Sequence, residues 1–99
     1  MEINIINGEK TIVELIGRLD TAVTPEAKAA LYDIIHAKND VVMDCKELEY
    51  ISSSGLRILL EAQKSLKAAG GTLKLINLQE AVQNVLDMTG FSLILDLNA

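Results

Sequence analysis

The chain has no tryptophan, one proline, one cysteine and one histidine, and its aromatic residues are Phe91, Tyr32 and Tyr50 alone. So few rings leave no platform on which successive nucleobases could stack. Basic residues are short as well: nine against fourteen acidic ones give a net charge of −5. That charge repels a phosphate backbone, so nucleic acid is not an expected direct ligand. The single Cys45 excludes an internal disulfide and a Cys-x-x-Cys site, and it suits a reducing compartment. One His, one Cys and scattered carboxylates show no metal-ligand spacing. No apolar run approaches the ~20 residues of a membrane span. The start Met1-Glu2-Ile3-Asn4-Ile5 also lacks the basic region and long apolar stretch of a secretion signal. A cytoplasmic location without membrane insertion is the expectation.

What is present is aliphatic. Hydrophobic residues make up 49% of the 99, nearly all Leu, Ile, Val and Ala, enough for one domain with a true core and too little for a second. Residues 1–99 are therefore read as one domain without linker, repeat or low-complexity tract.

Glu2 to Ile6 alternate polar and apolar, Asn7-Gly8 is a turn signal, and Thr11 to Ile16 is β-branched, which together predict an antiparallel hairpin. Gly17-Arg18-Leu19-Asp20-Thr21 should then leave the sheet, with Thr24 as N-cap and Pro25 at the first helical position. Ala27, Ala30, Leu31, Ile34 and Ile35 form a helical stripe ending near Ala37. His36 and Lys38 sit where positive charge is favoured, before a turn at Asn39-Asp40. A short apolar strand, Val41 to about Cys45, precedes a polar loop over 46–50 with Leu48 pointing inward. A second helix should start near Ser53 or Ser54 and run to about Ala69, with Leu56, Leu59, Leu60 and Leu66 on one side and Ile58 and Ala62 alongside. Gly70-Gly71 stops it. Thr72 to Ile76 reads as a strand, and Asn77 with Glu80 as a capping pair for a third helix that buries Val82, Val85 and Leu86. That helix ends at Thr89-Gly90, before a last apolar segment from Phe91 to Leu97. The order β-β-α-β-α-β-α, with a short final strand, implies a mixed four- to five-stranded sheet. Its later strands are parallel, joined by right-handed crossovers, with three main helices on one face.

The stretch with the most chemistry is Ile51-Ser52-Ser53-Ser54-Gly55-Leu56. A hydroxyl at the start of the second helix lies among backbone N–H groups without intrahelical partners, a setting that suits an anion. A phosphate there would bring ~1.5 to 2 negative charges and three acceptor oxygens without unfolding the domain. Plain capping and close packing by Gly55 are the alternative roles of the same residues. His36 and Cys45 are the other residues with catalytic potential. A serine hydrolase, however, needs a base and an orienting acid near Ser53, and Gly-x-Ser-x-Gly is absent.

Val41-Val42-Met43-Asp44 followed by Leu48-Glu49-Tyr50-Ile51-Ser52-Ser53-Ser54-Gly55-Leu56 resembles the signature of STAS domains, which include anti-sigma-factor antagonists and the cytoplasmic domains of sulfate transporters. Gly17-Arg18-Leu19-Asp20, Gly70-Gly71 and Leu86-x-Met88-Thr89-Gly90-Phe91 extend the resemblance over essentially the whole chain. It implies a non-enzymatic binding switch. In such proteins an anti-sigma factor that is itself a serine kinase uses Mg-ATP to phosphorylate the second residue before the motif glycine, here Ser53, with Ser52 and Ser54 as alternatives. The unmodified form binds the kinase and frees a sigma factor, and a metal-dependent serine phosphatase resets the switch. No cofactor is expected on this chain, since Mg-ATP would belong to the kinase. Asp20, Thr21, Ser52, Ser54, Gly55 and Arg57 are the implied partner-binding residues. Ser52 stands where most phosphorylatable members carry Asp. That departure favours the competing reading, a constitutive subunit of a signalling scaffold or lipid-transport complex that is not phosphorylated. The oligomeric state is left open by an uncovered sheet face or edge strand that could pair.

Overall fold

The computed structural model describes residues 1–37, 40–90 and 96–98, with side chains at all of these except 34–37 and 96–98. The expected inward placing of Ile34 and Ile35, the side chain of His36, Lys38, the Asn39 half of the expected Asn39-Asp40 turn and the segment from Phe91 to Leu95 lie outside what is described. His36 falls in the last turn of the first helix (Thr24–Ala37), and Asp40 is the first residue of the third strand (Asp40–Ile51) rather than a turn.

Strands β1 (Glu2–Ile6) and β2 (Thr11–Leu19) form the expected antiparallel hairpin, with Asn4 opposite Glu14. A 3₁₀ turn (Thr21–Val23) leads into α1 (Thr24–Ala37). Then follow β3 (Asp40–Ile51), α2 (Ser53–Ala68), β4 (Thr72–Ile76), α3 (Glu80–Thr89) and β5 (Asp96–Asn98). The sheet order is β1-β2-β3-β4-β5. From β2 onward every neighbouring pair is parallel.

This order positions everything else. Each crossover steps to the next strand in one direction, and right-handed connections then place every helix on the same side. The burial pattern agrees. Val13 and Leu15 of β2, Val41, Met43 and Cys45 of β3, and Leu73 and Leu75 of β4 pack with Leu56, Ile58, Leu59, Ala62 and Leu66 of α2 and Val82 and Leu86 of α3 in one core. The alternate residues Ile12, Glu14, Ile16, Val42, Asp44, Lys74 and Ile76 are only half-buried on the other face.

Four expectations are corrected. Gly17, Arg18 and Leu19 stay in β2, paired with Leu48, Tyr50 and Ile51 of β3, so residues 46–50 are strand rather than loop. Leu48 is buried as expected. Thr24 is the first residue of α1 and not its cap, because the 3₁₀ turn before it is capped by Asp20. Asn77 does not pair with Glu80. It adopts a left-handed conformation (φ 57°), and the N-cap of α3 is Gln79, without a side-chain cap bond. Leu60 and Val85 are half-buried rather than fully inward. The stop of α2 is as expected: the Gly71 N–H donates to the Leu66 carbonyl at 2.7 Å and the Gly70 N–H to that of Lys67 at 3.1 Å. Gly70 takes the positive φ of 85° that this closure needs,.

Candidate functional site

The serine stretch lies where β3 gives way to α2, beside the end of β2. Leu19 and Ile51 are register partners at the ends of their strands and both are buried. The next residue, Ser52, donates its backbone N–H to the Leu19 carbonyl at 2.9 Å, which ties the start of α2 to the end of β2. Its backbone is extended (φ −89°, ψ 171°), and its Oγ accepts from the Gly55 N–H at 3.1 Å. The Ser52 carbonyl accepts from the Leu56 N–H at 2.9 Å, closing the first turn. Ser52 is thus a complete N-cap, 8% exposed and with its hydroxyl engaged,. Asp ranks with Ser as a cap. An Asp at this position would therefore supply the same cap.

Gly55 is buried at the closest approach in the site. A Cβ placed there would lie 2.8 Å from Leu19 Cγ, 2.9 Å from the Leu19 carbonyl oxygen and 3.0 Å from Ile51 Cγ1. Two of those neighbours are core side chains and one is backbone, so only glycine lets α2 start this near β2.

With Ser52 and Gly55 turned inward, the outward face belongs to other residues. Ser53 is exposed, Ser54 half-buried and Arg57 exposed. Residues four apart share a helix face, which places Arg57 one turn beyond Ser53 on the same side. Across the Leu19–Ser52 bond lies Asp20. Its Oδ1 accepts from the N–H groups of Ala22 at 3.1 Å and Val23 at 3.2 Å, and its carbonyl accepts from Thr24 Oγ1 at 2.9 Å. Thr21 beside it is exposed. The Asp20-Thr21 loop and the start of α2 therefore form one continuous surface. Ser52 and Gly55 hold it together from beneath.

The electrostatics of the three helix starts differ. α1 carries Glu26 and α3 carries Glu80 in the first turn, whereas α2 carries no acid there. The partial positive charge at the head of α2 is left without the compensating carboxylate found at the other two.

One feature of this end escaped the sequence. The Arg18 guanidinium lies over the Tyr50 ring, 4.4 Å from its centroid. Each residue immediately precedes one of the register pair Leu19 and Ile51. Stacking partners on two different strands have no spacing signature, and only the register brings them together.

Among the described residues no group of His, Cys, Asp and Glu could hold a metal ion, and no helix is long and apolar enough to cross a membrane. Cys45 is buried away from this surface. Burial, reinforced by the nearby Asp44 carboxylate, pushes its thiol from an ordinary 9.0 up to about 12. It is therefore an uncharged core group at neutral pH and a poor nucleophile.

A family model for the STAS domain matches residues 1–99. The chain belongs to the STAS domain family. Among its curated relatives is the anti-sigma-B factor antagonist of Bacillus subtilis strain 168, 31% identical over 87 residues that span 88% of this chain and 80% of the relative. Among solved structures, the STAS fold seen here is shared with the anti-sigma factor antagonist SpoIIAA in its unphosphorylated form, with a TM-score of 0.80 and 21% identity over 99% of this chain and 87% of that one. The phosphorylated form of the Bacillus cell fate determinant SpoIIAA has a TM-score of 0.73 and 20% identity over 99% and 90%.

Proposed function

We propose that this STAS domain is an anti-sigma-factor antagonist, a cytoplasmic binding protein rather than an enzyme, whose hold on its partner is switched by phosphorylation of Ser53. One observation carries the reading. Of the three consecutive hydroxyls, Ser52 is spent on the helix cap and Ser54 is half-buried, while Ser53 is exposed at the head of a helix with no acid in its first turn. The antagonist names of the relatives and the existence of SpoIIAA in both phosphorylation states supply the context.

The partner is an anti-sigma factor with serine kinase activity, which brings its own Mg-ATP. In the transfer, Ser53 Oγ forms a bond to the γ-phosphorus, the bond to the ADP oxygen breaks, and the hydroxyl proton passes to a base of the kinase. The product carries ~1.5 to 2 added charges at neutral pH. The N–H groups of Ser53 and Ser54 head the helix without intrahelical acceptors, so the domain itself tolerates the anion. The partner surface across Asp20, Thr21 and Arg57 does not, and the complex separates until a metal-dependent phosphatase removes the group.

Incubation with the cognate kinase and Mg-ATP should add one phosphate, which Ser53→Ala abolishes. Ser53→Asp should weaken kinase binding tenfold or more, a loss of ~1.4 kcal/mol per decade. Intact-mass and phosphosite analysis of protein from its native cell, before and after phosphatase treatment, gives the same answer in vivo. An unmodified Ser53 together with normal binding by Ser53→Asp would show a constitutive subunit instead.

A further inference from the structure

We propose that the outer edge of β1 is a self-association seam, through which two copies of this chain pair antiparallel and join their five-stranded sheets into one. The two edges of the sheet are built differently. β5 is three residues long and contains Asp96 and Asn98, the short, polar form that discourages pairing. β1 is five residues long, contains three isoleucines and has no proline, and its only charged residue is Glu2. It has no irregularity in its own pairing with β2, so among the described residues the one protection this edge carries is the Glu2 charge at its end. Ile5 is 45% exposed and Ile6 50%.

The flank of this edge is also open. On the helix side a groove of about 170 Å³ runs between β1 and α1, lined by Met1, Ile3, Val23, Glu26, Ala27 and Ala30. The register of Ile3 with Leu15 and Ile5 with Val13 puts both isoleucines on that core-facing side. Ile3 is half-buried against the core beside Ala27 and Ala30, whereas Ile5 is left exposed.

Self-pairing fits the order of side chains. A two-fold axis at Asn4, the midpoint of the strand, pairs all five residues. Ile3 of one copy lies opposite Ile5 of the other, and Glu2 opposite Ile6. The two Glu2 carboxylates fall at opposite ends of the seam, so no like charges meet. Face-to-face stacking of the open sheet surfaces would instead bury the register pair Glu14 and Asp44, two carboxylates without compensation. A seam of this length is at the small end of specific interfaces, so the dimer is weak and concentration-dependent. Because each copy carries a net charge of −5, added salt strengthens it.

Sedimentation velocity on the unmodified full chain, from low micromolar to near-millimolar concentration, should show the average mass rising from monomer toward dimer, more readily at high salt. Ile5→Lys should remain monomeric throughout, while Met88→Lys, on an exposed position of α3, should dimerise as the parent does. Paired residues in such a ladder have Cα atoms about 4.5–5.5 Å apart, within disulfide reach. Under mild oxidation Asn4→Cys, at the axis, should therefore cross-link to itself far faster than Glu2→Cys. Cys45 is buried and does not compete. A chain monomeric at every concentration, a dimer indifferent to Ile5→Lys, or equal cross-linking at positions 2 and 4 would each overturn the seam. None of these results bears on Ser53, because no kinase is present.

Discussion

The helices begin at the same end of the sheet, and α2 and α3 are held there in opposite ways. α2 is held by backbone and by close approach: Ser52 N–H to the Leu19 carbonyl, Ser52 Oγ on the Gly55 N–H, and Gly55 against Leu19 and Ile51. α3 is held by side chains reaching to β3. Gln79 Nε2 donates to the Lys46 carbonyl at 2.7 Å, and Asn77 Nδ2 to Asp44 Oδ1 at 3.2 Å. Its first turn already contains Glu80. The start of α3 thus has its anion built in and its contacts at the surface. The start of α2 has its contacts buried and its outer hydroxyl free. A charge added at Ser53 can change what a partner meets without loosening the helix, because the bonds that fasten the start of α2 to the sheet are buried beneath it.

Both starts depend on β3, and the largest effect should come from that strand. The Cys45 thiol is raised from 9.0 to about 12 in the folded protein. The folded state keeps a proton that the unfolded state gives up above pH 9.0. This contribution to stability is complete below that pH and is lost as pH rises toward 12, by an amount on the order of 4 kcal/mol. Chemical denaturation across this range should show a steeper alkaline decline for the parent than for Cys45→Ala. Equal slopes would mean that the thiol is not desolvated and that β3 is looser than the packing indicates.

The next effect separates the two starts. Gly55→Ala pushes a methyl into Leu19 and Ile51, and overpacking of this kind costs about 1–3 kcal/mol. In a domain of this size each kcal/mol moves Tm by roughly 4–8 °C. Because the displaced backbone also carries Ser53, the variant should be a poorer kinase substrate even well below its Tm. Unchanged melting would show that α2 is not pressed against β2. Ser52→Ala comes third, with a loss of about 0.5–2 kcal/mol from the missing cap, and Ser52→Asp should recover most of it. Recovery would show that Asp and Ser are interchangeable as the cap at this position.

How much of this was legible beforehand follows from local periodicity. β4, α3 and the end of α2 carry clear patterns, and their limits fell within a residue or two of expectation. The start of α2 was legible for the same reason, since three hydroxyls before an apolar helix form a local signal. The second half of β3 was hidden because its buried residues Cys45, Leu48 and Ile51 are spaced by three rather than two. The cause lies in the pairing. Between Glu14/Asp44 and Ile16/Glu47, and again between Gly17/Leu48 and Arg18/Tyr50, β3 carries an extra residue against β2. Each extra residue shifts the alternation, so a strand reads as a polar loop. The same bulged pairing stacks Arg18 on Tyr50 and brings Asp20 beside the start of α2, neither of which any spacing within one segment encodes. Asn77 with Glu80 is the converse case, a valid capping pattern overridden because the Asn77 side chain bonds to Asp44 across the strands.

The smallest effect tests the α3 side of the contrast. Gln79 caps α3 by backbone position alone and spends its side chain on the Lys46 carbonyl, a bond at an exposed site. Gln79→Ala removes that tether and leaves the carbonyl to water, so it should cost about 0.5–1.5 kcal/mol at most. The more telling readout is where the loss appears. Amide hydrogen exchange should quicken in the first turn of α3 and leave Gly55 and Leu56 protected, since no bond of the α2 start passes through Gln79. If protection at Gly55 fell as well, the two helix starts would be one cooperative unit. A phosphate at Ser53 would then be felt across the whole end of the sheet rather than at the partner surface alone.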